Sequence, residues 1–185
     1  MIIYLTDGTT GEPVEAELIS GISADSLHLW KSTWCPLLQG MSEDSRWDWE
    51  RKLQIRGKEL TCETFSIKVG DSLEGMIMIN NSSYSRLHLG KELVYVEFLA
   101  TAPWNRKEIR DPRQHGGVGE VFIEAAIRLS LEYELEGRIG LVSLPGAEGF
   151  YRHVVKMTDL GPDPHHQDLI YFEATPEQAQ AFLKR

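Results

Sequence analysis

Residues 113–131 read RQHGGVGEVFIEAAIRLSL. The front of this stretch, Gln114-His115-Gly116-Gly117-Val118-Gly119, is rich in glycine, follows the apolar run Leu93–Ala100 and leads into an amphipathic segment. Val118, Val121, Phe122, Ala125, Ala126, Leu129 and Tyr133 recur at helical spacing, and Ile123 and Ile127 widen the apolar face as expected for a helix lying on a sheet. Glu124 and Arg128 pair four residues apart on the other side, and Gly137 is expected to stop the helix. Glycines let the backbone come close to an anion, and a helix N-terminus offers unpaired N–H groups with a partial positive charge. The combination describes a phosphate cradle and points to a nucleotide-type cofactor. A Rossmann site does not fit, because GGVG lacks the G-x-G-x-x-G spacing and follows a long upstream segment. A P-loop does not fit for want of a GK[ST] ending.

Outward from the cradle, strand signals dominate. Leu60–Val69 alternates and closes on Gly70-Asp71. Leu73–Ile79, LEGMIMI, follows as the second arm of a hairpin. Glu92–Ala100 is apolar on both faces, hence a central strand. Beyond the helix come a buried strand at Arg138–Leu144, a short helix opened by Pro145 and running through Tyr151 to about Val154, a last strand at Leu169–Ala174, and a helix with Thr175 as N-cap and Pro176 at its first position. Upstream, Ile2–Thr6 reads as a short strand, whereas Glu12–Ser20 is ambiguous. Ser26–Leu38 is partly helical and halted near Pro36. Ser42–Gln54 reads as a helix capped by Ser42. The polar stretches Asn80–Ser85 and Thr101–Arg113 read as loops. The fold class is α/β or α+β: a mixed, mostly antiparallel central sheet flanked by helices.

The 185 residues carry a net charge of −9. An acidic protein repels phosphate backbones at long range, so nucleic-acid binding is disfavoured and a cationic or amine-bearing partner suits the sign better. No apolar run approaches a membrane span, so no membrane partner is expected. The opening MIIYLTDGTTGEPVEAE has no basic n-region and reads as mature protein. Cys35 and Cys62 have no metal or disulfide spacing, and a cytoplasmic location is the default.

The order of strand, Q-x-x-G-x-G loop, helix, strand, and short helix carrying A-x-x-F-Y resembles the GNAT-type N-acetyltransferases. The loop residues are Gln114, Gly117 and Gly119; the later motif is Ala147-Glu148-Gly149-Phe150-Tyr151. The likeness covers about Leu73–Phe172, and residues 1–70 match nothing usable, where that family places variable substrate-side helices. It implies one acetyltransferase-like domain over residues 1–185, with an acyl-CoA-binding core at 73–173 and a C-terminal helix at 175–185.

Acetyl-CoA is the co-substrate the resemblance implies. The amides from His115 to Glu120, through Gly116, Gly117, Val118 and Gly119, would hold its pyrophosphate, and Arg113 could reach a phosphate. The strand ending at Ala100 would splay from the strand at Arg138. Backbone groups of Phe98, Leu99 and Ala100 would pair with the pantetheine arm, and one N–H would polarise the thioester carbonyl. Transfer by direct attack of a neutral amine needs a base and an acid. Tyr151, at the family's tyrosine position, is the candidate acid. Glu97, a carboxylate sharing a strand face with Tyr95 and Leu99, is the candidate base, with a water chain as its alternative.

His115 reads as an outer-edge decoration of the cradle. His165, His166, Asp163 and Asp168 lie too close in sequence for a tetrahedral metal site, so no metal is expected and a surface turn is. Trp30, Trp34, Trp47 and Trp49 serve as core anchors, or one or two line an acceptor pocket where an aromatic face holds a cation. Trp104 precedes the cradle. Many family members carry a glycine four or five residues after the FY tyrosine; here Val155 and Lys156 stand there. The acceptor is a small-molecule or protein amine, and a homodimer is open. Two other functions remain: a catalytically silent acyl-CoA-binding sensor or interaction module, and a toxin acting on aminoacyl-tRNA, which the acidic charge disfavours.

Overall fold

The structure, a computed structural model, describes residues 1–38, 40 and 42–185. Its strands are β1 (Ile2–Asp7), β2 (Pro13–Ser20), β3 (Cys62–Val69), β4 (Ser72–Tyr84), β5 (Glu92–Thr101), β6 (His115–Gly116), β7 (Ile139–Ser143), β8 (Thr158–Asp163) and β9 (Leu169–Ala174). The helices are α1 (Ala24–Leu29), α2 (Cys35–Leu38), α3 (Trp49–Arg56), α4 (Val118–Glu132) and α5 (Pro176–Leu183), with short 3-10 and π turns between. The strands hydrogen-bond in the order β6-β1-β2-β3-β4-β5-β7-β9-β8. The sheet is mixed and mostly antiparallel, with helices flanking it. The chain divides into two compact units, residues 1–78 with 98–119, and residues 79–97 with 120–185.

The first unit has its core where the N-terminal helices meet the sheet. Trp30, Trp34, Leu38 and Trp49 bury against Leu73, Met76, Met78, Ala100 and Ala102. Trp34 is fully enclosed, and its indole N–H donates to the Leu73 carbonyl at 3.1 Å. Ser23 caps α1, accepting from the Ser26 amide at 3.1 Å. Pro36 stands inside the helical segment, which among the described residues ends two residues later at Leu38. A π turn at Trp30–Trp34 precedes it, in which the Cys35 N–H reaches back to the Trp30 carbonyl. That wider turn precedes the point where a proline nitrogen cannot make the usual bond. The segment 42–54 is not one helix. Ser42 is extended and caps no amide; a 3-10 turn covers Glu43–Arg46; and Asp48 caps α3 through the Arg51 N–H at 2.9 Å. Trp47, extended between the two, is therefore free of helical spacing, and both it and Trp49 pack edge-on against Phe98. The ambiguous Glu12–Ser20 is β2, pairing antiparallel with β1 from Ile2↔Glu17 to Thr6↔Pro13.

In the second unit, α4 buries Phe122, Ile123, Ala126 and Ile127. It ends at Glu132, earlier than Gly137. Gly137 instead sits in the turn to β7 at φ +79°, where a Cβ would come within 3.0 Å of the Ala179 methyl. Strand β7 runs parallel to β5 and antiparallel to β9. Asn80–Ser85 is not a loop throughout: β4 runs on to Tyr84, and only Ser85 leaves it. The sequence did not reveal β8, because Gly161-Pro162 interrupts its pattern and its register with β9 shifts between Asp159 and Pro162. Two buried carboxylates tie these pieces together. Glu173 accepts from the Ser85 hydroxyl (2.7 Å), the Arg86 and Leu87 amides and the Tyr171 phenol (2.9 Å). Asp163 accepts from the Arg86 guanidinium at 2.6 Å. Thr175 opens α5 through a full capping box with Gln178.

Candidate acyl-CoA site

The glycine-rich loop is held at its front end by main-chain bonds. Strand β6 pairs antiparallel with β1, Thr6 opposite Gly116 and Asp7 opposite His115. The Gly8 amide donates to the Gln114 carbonyl at 2.9 Å. A Cβ on Gly8 would sit 1.6 Å from the Arg113 carbonyl oxygen, so only glycine permits this approach. The Gln114 amide donates to the Trp104 carbonyl, and the His115 amide to Asn105 Oδ1, both at 2.8 Å. His115 therefore cannot offer its amide to a ligand, and the cradle is shorter than the sequence suggests. Beyond His115 come the amides of Gly117, at φ +91°, and of the first turn of α4, which a helix leaves without intrahelical partners. Arg113 lays its guanidinium along this loop; a Cβ on Gly116 would meet it at 3.0 Å. The Gln114 side chain accepts from Arg110 at 2.6 Å.

His115 is not an edge decoration. It is buried, and its Nδ1 lies 3.0 Å from Glu74 Oε2. The same oxygen accepts from the Asn105 amide (2.6 Å) and the Trp104 indole (3.0 Å), and the Glu74 carbonyl accepts from the Ala102 amide. Glu74 is fully enclosed, and its second carboxylate oxygen has no partner among the described residues. One buried carboxylate thus fixes the path from Ala102 to His115. Farther along the path, Arg106 forks onto both Asp44 oxygens at 2.7 Å. Burial alone would raise the Asp44 carboxyl, but Arg106 outweighs it and holds it below the usual range. Sequence reasoning missed Glu74. The available signal was a lone acid within the apolar run LEGMIMI.

Phe98, Leu99 and Ala100 lie near the end of β5. The Phe98 ring packs against Trp47 at 5.1 Å, and the Lys52 ammonium stands 3.2 Å above its centroid.

The β5–β7 ladder, read within the second unit, runs from Val94↔Ile139 to Val96↔Leu141 and stops there, while β5 continues to Thr101. Glu97, the first residue past the ladder, is half-buried and takes a hydrogen bond from the Asn80 amide at 3.5 Å. Tyr95 stacks on Tyr171 at 6.4 Å. Burial, with the Asp163 and Glu97 charges, pushes the Tyr95 phenol up to about 12.

Tyr151 lies in a π turn, Phe150–Val155, after the 3-10 turn that Pro145 opens. Its ring packs against Phe150 (5.1 Å) and Phe172 (5.8 Å). Burial raises its phenol well above the ordinary value, and no hydrogen-bond partner holds the hydroxyl among the described residues. Such a phenol stays protonated and keeps its donor uncommitted. Lys156 takes the left-handed conformation, φ 63° and ψ 39°, a region that favours glycine.

The 161–168 segment is strand and 3-10 turn. Asp163 accepts from the His165 amide and the His166 ring at 2.9 Å, besides Arg86. Burial would raise its carboxyl, yet these donors hold it far below the carboxylate range.

No family model matches the sequence, and no curated protein matches it. Solved structures do match. FeeM, an N-acyl amino acid synthase from uncultured soil microbes, superposes with a TM-score of 0.61 at 13% identity, covering 90% of this chain and 94% of that one. A mutant of the AtaT toxin, bound to the C-terminus of the antitoxin AtaR and acetyl-CoA, gives 0.57 at 12% identity over 91% and 99%. The Bacillus subtilis N-acetyltransferase YlbP, in complex with coenzyme A, gives 0.53 at 12% over 88% and 97%. With its strand order, its parallel β5–β7 pair and its glycine loop opening α4, the chain has the fold of the GNAT N-acetyltransferases.

Proposed function

We propose that this protein moves an acetyl group from acetyl-CoA to an amine by direct attack. The observation that carries the proposal is the start of α4. A loop fixed by Glu74 and β1 delivers Gly117 and the first helical turn with amides that the helix itself does not use. That is the chemistry a diphosphate needs. The amides of Gly117, Val118, Gly119 and Glu120 hold the pyrophosphate, and Arg113 adds a cation beside Gly116. Main-chain groups of Phe98, Leu99 and Ala100 carry the pantetheine arm, and one N–H steadies the developing oxyanion.

Tyr151 donates the proton to the departing thiolate. Its desolvated phenol is protonated at neutral pH, and nothing within the described protein competes for its hydrogen. Glu97, held by Asn80 past the end of the β5–β7 ladder, accepts the proton that the incoming ammonium must lose. The bound neighbours support the donor: AtaT is seen with acetyl-CoA and YlbP with coenzyme A. The acceptor is an amine of a small molecule or a protein, and the site of action is the cytoplasm.

A silent acyl-CoA-binding module would use the same cradle and no acid. The uncommitted Tyr151 hydroxyl favours the enzyme. Calorimetric titration with acetyl-CoA, combined with a thiol-release assay over a panel of amines, separates the two. An enzyme binds acetyl-CoA and releases free thiol only when an amine is present; a binding module binds and releases none.

A further inference from the structure

The first unit sets one of its own amines on an aromatic face beside β5. Trp49 and Lys52, three residues apart on α3, share a helical face. Trp49 is almost fully buried and fixes that face against Phe98. Lys52 then lies with its ammonium 3.2 Å from the Phe98 ring centroid and 5.0 Å from that of Trp47. Trp47, Trp49 and Phe98 contact one another edge-on at 5.1–6.4 Å, so the ammonium rests on a preformed aromatic surface. An aromatic face of this kind attracts alkylammonium groups. On the acetyl-CoA reading above, the Phe98 main chain would also carry the acyl arm.

We propose that Lys52 is an acetyl acceptor in cis, and that the Trp47–Phe98 face is an alkylammonium subsite of lysine-like chemistry. The inference rests on the acetyl-CoA reading above. The lysine stem is long and flexible, and tethering it beside the acyl strand replaces a bimolecular encounter with an intramolecular one. In the step, the Lys52 ammonium gives a proton to solvent, and the neutral nitrogen attacks the thioester carbonyl. The carbon–nitrogen bond forms and the carbon–sulfur bond breaks. The thiolate leaves and takes a proton, and the nitrogen loses its second proton to solvent. The products are Nε-acetyl-Lys52, free coenzyme A and one proton. Nothing is oxidised or reduced. Acetylation removes the charge that holds the side chain on the ring, and so frees the aromatic face for an external ammonium.

The test is mass spectrometry of the purified protein after incubation with acetyl-CoA, with acetyl-CoA binding measured in parallel by calorimetry. Intact mass reads the gain of acetyl groups, and peptide fragmentation locates them. The expected result is one acetyl group, on Lys52, with modification there at least about tenfold above Lys31 and Lys184. That selectivity disappears when the protein is denatured in guanidinium, and Lys52→Arg abolishes the mass gain. Acetylation spread evenly over the lysines, or absent from Lys52 while acetyl-CoA binds, overturns this inference and leaves the transferase reading standing. Failure to bind acetyl-CoA removes both.

Discussion

His115 Nδ1 lies 3.0 Å from Oε2 of Glu74, and both side chains are buried. The residue that the sequence placed at the rim of the cradle is instead its foundation. Its amide is fixed by Asn105, and its ring by a carboxylate on β4.

Glu74→Ala strands the Trp104, Asn105 and His115 donors in a buried pocket. Breaking such a site by removing the shared partner costs about 3 kcal/mol or more. Thermal unfolding should show that loss. Where folded protein survives, calorimetry should show weakened coenzyme A binding, because the path into Gly117 loosens. Unchanged melting and affinity together would mean that the carboxylate does not organise the loop.

Tyr151→Phe deletes the proposed proton donor and keeps the ring contacts with Phe150 and Phe172. Steady-state kinetics should give a turnover at least about tenfold lower, equivalent to about 1.4 kcal/mol in the barrier. Acetyl-CoA affinity should hardly change. Equal losses in rate and affinity would make the residue structural.

Lys156 stands in the left-handed region at the end of the Tyr151 turn. Side chains other than glycine and asparagine are strained there, by roughly 1 kcal/mol. Lys156→Gly should therefore leave stability unchanged or raise it slightly, since the relief opposes glycine's added chain entropy. Lys156→Val should lower it. Chemical denaturation measures both, and the reverse order would contradict the backbone argument.

Asp163 gives the fold an acid sensitivity with a definite sign. Its folded carboxyl is held below the unfolded value of about 3.9. Its contribution is fully present above that value and is lost as pH falls below it towards the depressed folded value. Asp163→Asn should lower stability at neutral pH and flatten the decline below about pH 4. Denaturant titrations at neutral and acid pH measure the two slopes. Identical slopes would show that the Arg86–Asp163 pair does not contribute.

The parts legible in the sequence were those governed by local chemistry. The periodicity of 118–132 gave α4, the Gly70-Asp71 turn gave the hairpin, and Thr175-Pro176 gave the start of α5. What escaped was set by distant partners. Asn80–Tyr84 is polar, yet it continues β4. Thr158–Asp163 becomes a strand despite Gly161-Pro162 because β9 pairs with it. Ser42 looked like a cap, but Arg106 draws Asp44 into an ion pair and a separate 3-10 turn forms around it, leaving Asp48 to start α3. In the candidate site, the glycines were visible one by one. The Glu74–Asn105–His115 cluster was not, because it joins positions 31 and 41 residues apart.

The most direct measurement is a crystal structure of the protein soaked with acetyl-CoA. The expected result is diphosphate oxygens within hydrogen-bond distance of the main-chain amides at Gly117–Glu120, and the thioester alongside Phe98–Ala100. An acetyl-CoA bound elsewhere, or none bound at saturating concentration, would contradict it.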